Sequence, residues 1–183
     1  LQAGASVADV GCGHGVSTIL MAKAYPKSRF IGFDYHKGSI DAAKAAARKA
    51  GVEDRVTFEV ATAQSFPGED YDFIACFDCI HDMGDPVGAV RHIRSALKKD
   101  GTFMMVEPFA NDKTEDNLNP VGRIFYGAST LLCTPAALSQ DVGLALGAQA
   151  GEARLRGIFE EAGYANFKRA TETPFNIVYE ARG

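Results

Sequence analysis

The stretch VADVGCGHG, residues 7–15, decides how the chain is read. An apolar run carrying one acid, Asp9, meets Gly11, Gly13 and Gly15 at every second position. Glycine has no Cβ, so a strand that ends this way can turn tightly and let a ligand approach the bare backbone. The helix expected from about Val16 would open with unpaired N–H groups facing the same point. In an open parallel sheet, ligands collect beyond the carboxyl ends of the strands, where strand order reverses, and the first strand commonly flanks that place.

Working outward, the chain alternates strand and helix with short connections. STILMAKAYP has helical apolar spacing and stops at Pro26, RFIGFD (29–34) is a second strand ending on Asp34, and SIDAAKAAARKAG is an alanine-rich helix with Ser39 as N-cap and Gly51 as its stop. RVTFEVAT (55–62) and YDFIACFD (71–78) read as strands. DPVGAVRHIRSALKKDG reads as a helix capped by Asp85, with Pro86 at its first position and Gly101 as its stop. TFMMVEP (102–108) follows as a fifth strand. This alternation predicts an α/β fold: a parallel sheet with helices on both faces, joined by right-handed crossovers.

Residues 109–152 break the rhythm with a polar loop, an apolar helix candidate (VGRIFYGASTLLCT) and a glycine-dotted stretch, too long for a plain connection. Order then resumes with an amphipathic helix over 153–163 and two closing strands, NFKRATET and FNIVYEAR. The first strand begins almost at the first residue, which points to a longer protein preceding it.

Composition narrows the function classes. Nineteen Lys and Arg against 23 Asp and Glu give a net charge of -4, with no broad basic surface for nucleic acid. No run approaches the roughly 18 apolar residues of a membrane span. Cys12, Cys76, Cys79 and Cys133 do not form a disulfide framework, which suits a reducing cytoplasm. Cys76 and Cys79 make a lone C-x-x-C where a structural zinc would need four ligands, so no metal site is expected.

Which ligand suits the glycine turn? A dinucleotide turn reads G-x-G-x-x-G, but here Val16 holds the last position. Asp9 would repel a pyrophosphate and suits a cationic amino-acid group, whereas Asp34 can accept both hydroxyls of a ribose. A ribose at one end and an ammonium at the other describe S-adenosyl-L-methionine. With VADVGCGHG, FIGFD and YDFIACFDCIHDMGDP together, the chain resembles the class I S-adenosylmethionine-dependent methyltransferases over nearly its whole length.

The resemblance implies a three-layer, Rossmann-like sheet of seven strands with an antiparallel C-terminal edge. It implies that Asp9, Gly11, Cys12 and Gly13 surround the methionine part of the cofactor. Asp34 would hold the ribose, and Tyr35, Thr62, Ala63 and Phe77 would flank the adenosine. Thr62 stands where the family often has an acid. His81–Asp82 also looks like the motif of small-molecule O-methyltransferases, in which His81 would remove the acceptor's proton and Glu107 would support it. Met83 replaces the tryptophan usual after that motif. Phe125, Tyr126, Leu131 and Leu132 would shape an apolar small-molecule pocket. In two-domain relatives of this kind, a preceding helical domain helps form a homodimer.

Three other readings stay open. One is methyl transfer to nitrogen or carbon, in which His81 merely packs. Another is a non-catalytic S-adenosylmethionine-binding module. The third is a nicotinamide oxidoreductase, against which both Asp9 and the glycine spacing argue. His14 is expected to pack on the cofactor side of the turn, and His36 and His92 to lie on the surface.

Overall fold

A computed structural model describes residues 1–183. The strands are β1 (Ser6–Val10), β2 (Arg29–Asp34), β3 (Val56–Val60), β4 (Tyr71–Phe77), β5 (Leu97–Pro108), β6 (Asn166–Glu172) and β7 (Asn176–Arg182). They form one sheet in the order β3-β2-β1-β4-β5-β7-β6. The first five are parallel, and β7 pairs antiparallel with both β5 and β6. Strand order reverses between β1 and β4, so the exits of these two strands frame the crevice where such sheets bind ligands.

Both faces are covered. Helices α1 (Val16–Ala24) and α2 (Lys37–Ala50) bury Ile19, Ile40 and Ala43 against Val7, Phe30 and Phe58 on one face. Helices α3 (Pro86–Ala96) and α6 (Glu152–Glu161) bury Val90, Ile93, Ile158 and Phe159 against Ala8, Ile74 and Phe103 on the other. Neighbouring residues of β1, Val7 and Ala8, therefore serve opposite cores, as the two-residue period of a strand requires.

Several boundaries differ from the sequence expectation. Helix α2 starts two residues before Ser39. Its N-cap is His36, whose Nδ1 accepts the Ser39 amide at 3.2 Å. Helix α3 is capped by Asp85 as expected, with Oδ1 accepting the Gly88 amide at 2.8 Å, but ends at Ala96 rather than near Gly101. Leu97–Gly101 instead joins β5, because Tyr71 of β4 offers Leu97 a partner across the sheet. His92 is not a bare surface residue either: its Nε2 meets the Phe66 carbonyl at 2.8 Å and its ring packs edge-on against Phe66.

The insertion is a nearly continuous helical run: α4 (Pro120–Ala128), one π turn over Ser129–Cys133, and α5 (Thr134–Leu138). An irregular segment leads on to α6. No helix is long and apolar enough to cross a membrane.

Candidate active site

The turn after β1 explains the glycine spacing residue by residue. Gly11, Gly13 and Gly15 take positive φ values of 76°, 52° and 76°, a region that side chains strongly disfavour. The amides of Gly11 and Cys12 both donate to the Phe33 carbonyl, folding the turn over β2. A Cβ on Gly15 would lie 2.5 Å from the Phe58 ring and 2.9 Å from Ala43, so this glycine lets helix and sheet approach closely. It fills the packing role that the last glycine plays in a dinucleotide turn, one residue early. A Cβ on Gly13 would meet nothing within 4 Å, leaving open space above the backbone.

A cavity of about 550 Å³ opens beside this turn, at the carboxyl ends of the strands. Gly11, Asp34, Tyr35, Thr62 and Ala63 line it, five of the residues expected to hold the cofactor. Asp34 is held by backbone amides, Gly13 donating to Oδ2 at 2.9 Å and His36 to Oδ1 at 2.8 Å. Each carboxylate oxygen has accepting capacity left for a ligand hydroxyl. Thr62 Oγ1 lies 2.8 Å from Ser65 Oγ.

The other four expected cofactor residues do not line the cavity. Asp9 is 1% exposed, with Oδ2 accepting the hydroxyls of Ser17 and Thr18 at 2.6 Å each. It therefore braces the first turn of α1 from beneath, instead of facing a ligand as its charge suggested. Burial pushes its pKa up, against the opposing effect of those hydroxyls, and Oδ1 has no partner. Cys12 is buried behind the turn, and burial pushes its thiol pKa up. Gly13 borders the open space only through its missing side chain. Phe77, the last residue of β4, is half-buried away from the cavity walls. His14 is exposed and contributes no wall.

Sequence reasoning missed several walls. Gln64 comes from the loop after β3, with Nε2 donating to the Asp85 carbonyl at 3.1 Å. Cys79 and Met83 come from the loop after β4, and Ala136, Ser139, Gln140 and Asp141 from the end of the insertion. Neighbourhood to Thr62 could have pointed to Gln64. Nothing local marks Gln140, whose site forms only when the insertion folds back. By contrast, Leu131 and Leu132 are 77% and 68% exposed, and Phe125 and Tyr126 line no part of the cavity. The insertion's contribution to the cavity is thus mostly polar, not the aromatic pocket expected.

The two expected catalytic residues do meet. A 3₁₀ turn over Ile80–Asp82 follows β4 and points His81 at the end of β5. His81 Nδ1 hydrogen-bonds Glu107 Oε2, and Glu107 Oε1 accepts the Ile80 amide at 3.0 Å. Both side chains are buried. Burial opposes charge on His81, but the Glu107 hydrogen bond and the charges of Glu107, Asp82 and Asp78 together outweigh it and raise the imidazole pKa. Burial also raises the Glu107 pKa, partly offset by His81. The other imidazole nitrogen, Nε2, lies 3.2 Å from Asp82 Oδ1 without the alignment of a hydrogen bond. His81 is 5% exposed and lines no part of the cavity, whereas its neighbour Asp82 does. Cys133, from the π turn, completes the surroundings, its thiol pKa pushed up to about 12 by burial and by Asp82.

A buried acid under a glycine turn, a second acid at the end of β2 and a cavity at the strand-order reversal are the features of an α/β domain with a crevice at the carboxyl ends of its strands. Residues 1–163 match the Methyltransferase domain family, and the chain belongs to it, among the class I S-adenosylmethionine-dependent methyltransferases. It is 29% identical over 143 residues to 27-O-demethylrifamycin SV methyltransferase of Amycolatopsis mediterranei, covering 77% of this chain and 44% of that protein. It is 37% identical over 106 residues to the uncharacterized methyltransferase YcgJ of Bacillus subtilis, covering 57% of this chain and 41% of that one. Among solved structures, mitomycin 7-O-methyltransferase MmcR superposes with a TM-score of 0.77 at 19% identity, over 100% of this chain and 50% of that chain. The matched region spans less than half the length of these two curated relatives.

Proposed function

We propose that this domain binds S-adenosyl-L-methionine in the cavity beside the glycine turn and transfers its methyl group to the oxygen of a small molecule. The cavity residues suit that cofactor. Gly11 lets it approach the backbone of the turn, Asp34 keeps accepting capacity for ribose hydroxyls, and Tyr35, Ala61 and Ala63 offer surfaces for the base. When bound, the cofactor supplies a methyl group already activated on a sulfonium, so the protein's share is mainly alignment.

The observation that carries the oxygen reading is the buried His81–Glu107 pair behind the cavity wall. A hydroxyl acceptor must lose its proton, and a positioned imidazole can take it. Glu107 accepts from Nδ1–H, which leaves the lone pair on Nε2 and stabilises the imidazolium formed. One relative is named as the methyltransferase of 27-O-demethylrifamycin SV, and the structural neighbour MmcR is named a mitomycin 7-O-methyltransferase, which agrees with this choice of atom. Asp82 Oδ1 lies 3.2 Å from Nε2 and Asp82 lines the cavity, so an acceptor that reaches Nε2 requires its side chain to turn aside.

His81→Ala is expected to keep S-adenosylhomocysteine affinity by calorimetry while lowering methyl transfer in the whole protein at least a hundredfold. Asp34→Ala is expected to lose most of that affinity. Near-full turnover in the His81 variant defeats the base role and favours nitrogen or carbon as acceptor. The depth of His81 favours one second reading, a domain that binds the cofactor without turnover. Affinity without methyl transfer in the wild-type protein, across hydroxyl and amine acceptors, would select it.

A further inference from the structure

We propose that His81, Asp82 and Cys133 form a binding site for a divalent transition metal of the zinc class. One donor atom from each, the imidazole nitrogen, a carboxylate oxygen and Sγ, lies within 4.8 Å of the others. Zinc bonds of about 2.0–2.3 Å set tetrahedral ligand separations near 3.5 Å, so the site closes on an ion with a shift of about 1 Å. A mixed nitrogen, oxygen and sulfur donor set selects zinc, cobalt or iron over magnesium or calcium.

Three independent features prepare the site. Glu107 accepts from Nδ1 of His81, which fixes the tautomer that offers the Nε2 lone pair, as carboxylates do behind metal-bound histidines. Asp82 Oδ1 is buried without a hydrogen-bond partner, although 3.2 Å from Nε2, and a cation would satisfy it. Cys133 ends the π turn and is 7% exposed, whereas the preceding Leu131 and Leu132 point outward. A π turn shifts the helical register by one residue, and such turns recur at functional sites. Asp82 also lines the cavity, which gives the ion a way in and water a fourth ligand position.

A metal on Nε2 takes the lone pair that the acceptor's proton would need. Ion binding and methyl transfer to oxygen therefore exclude one another, and the site is inhibitory. That consequence rests on the function proposed above, whereas metal binding itself does not.

Cobalt(II) titrated into the purified chain, with a phosphine keeping the thiols reduced, is the test. The wild type is expected to bind one ion per chain, with tetrahedral visible bands and a thiolate-to-cobalt band in the near ultraviolet. Cys133→Ser is expected to lose the thiolate band, and Asp82→Asn to weaken binding at least tenfold, each with an unchanged circular dichroism spectrum. Absence of the bands in the wild type overturns the site, as does a thiolate band that survives in Cys133→Ser. Calorimetry with S-adenosylhomocysteine on the same samples separates the two proposals. Cofactor binding without cobalt defeats only the metal site, and cobalt without cofactor binding defeats only the function above.

Discussion

The two walls of the cavity are held by different means. On the β1 side, position is set by backbone: three left-handed glycines, two amides converging on the Phe33 carbonyl, and a buried acid bracing the next helix. On the insertion side, polar side chains do much of the holding, beside the Leu144 amide bonded to the Gly84 carbonyl, the Gly147 amide bonded to the His81 carbonyl, and the burial of Leu146 in the core. Gln140 accepts from the Gly84 amide and donates to the Asp82 carbonyl, Ser129 accepts from the Ala148 amide, and Asp112 accepts from the Ala153 amide. The insertion also leaves Leu118, Ile124, Leu131 and Leu132 largely exposed. The first wall is part of the core, and disturbing it disturbs the fold. The second is fastened on and can differ without disturbing the first.

The hardest test of this contrast is Gly15→Ala. The left-handed φ costs an alanine about 1–2 kcal/mol, and overpacking against Phe58 and Ala43 adds about 1–3 kcal/mol. Urea unfolding is expected to show a loss of about 2–5 kcal/mol, a large share of a typical domain's total of roughly 5–15 kcal/mol. A loss under about 1 kcal/mol would mean that helix α1 can shift freely, and the β1 wall would not be the rigid one.

Gly13→Ala sharpens the same point from inside the turn. The backbone penalty remains, but no neighbour is struck, so the stability cost is expected to be about 1 kcal/mol. The new methyl occupies the space through which a ligand would meet the backbone. Calorimetry is expected to show at least a tenfold weaker S-adenosylhomocysteine affinity, which is about 1.4 kcal/mol. Two glycines of one turn thus separate a fold effect from a binding effect. Equal affinity in Gly13→Ala would place the ligand away from Gly13.

The same contrast explains what could be read from the sequence. Most strands are visible because apolar or alternating runs are local signals, and Gly11 to Gly15 announce their own backbone. Asp34 is legible because it closes β2, and the His81–Glu107 pair because its surroundings resemble the motif of small-molecule O-methyltransferases. Asp9 was assigned too direct a role: its charge was visible, but not the Ser17 and Thr18 hydroxyls that fold back onto it. The early start of β5 depended on a partner in β4, and the cap of α2 on a histidine side chain, neither of which apolar spacing records. The insertion was recognisable only as an interruption. Its wall is made by contacts such as Gln140 to Asp82, 58 residues apart in the chain. For the same reason the meeting of Cys133 with His81 and Asp82 left no trace in the spacing of the cysteines.

Gln140→Ala gives the smallest expected effect and the most local one. The variant loses an acceptor 3.1 Å from the Gly84 amide and a donor to the Asp82 and Ala136 carbonyls. Because Gln140 is exposed, water can replace these partners, and the net cost is expected to be about 1 kcal/mol or less. Hydrogen exchange is the better measurement, since local opening is faster than global unfolding where few ties hold a segment. Faster exchange is expected at Gly84 and across residues 134–138, with no change at Gly11 and Cys12, whose amides are fastened to β2. If the glycine-turn amides accelerate in step with the insertion, the two walls move as one body. The insertion would then be as much a part of the cofactor's support as the turn itself.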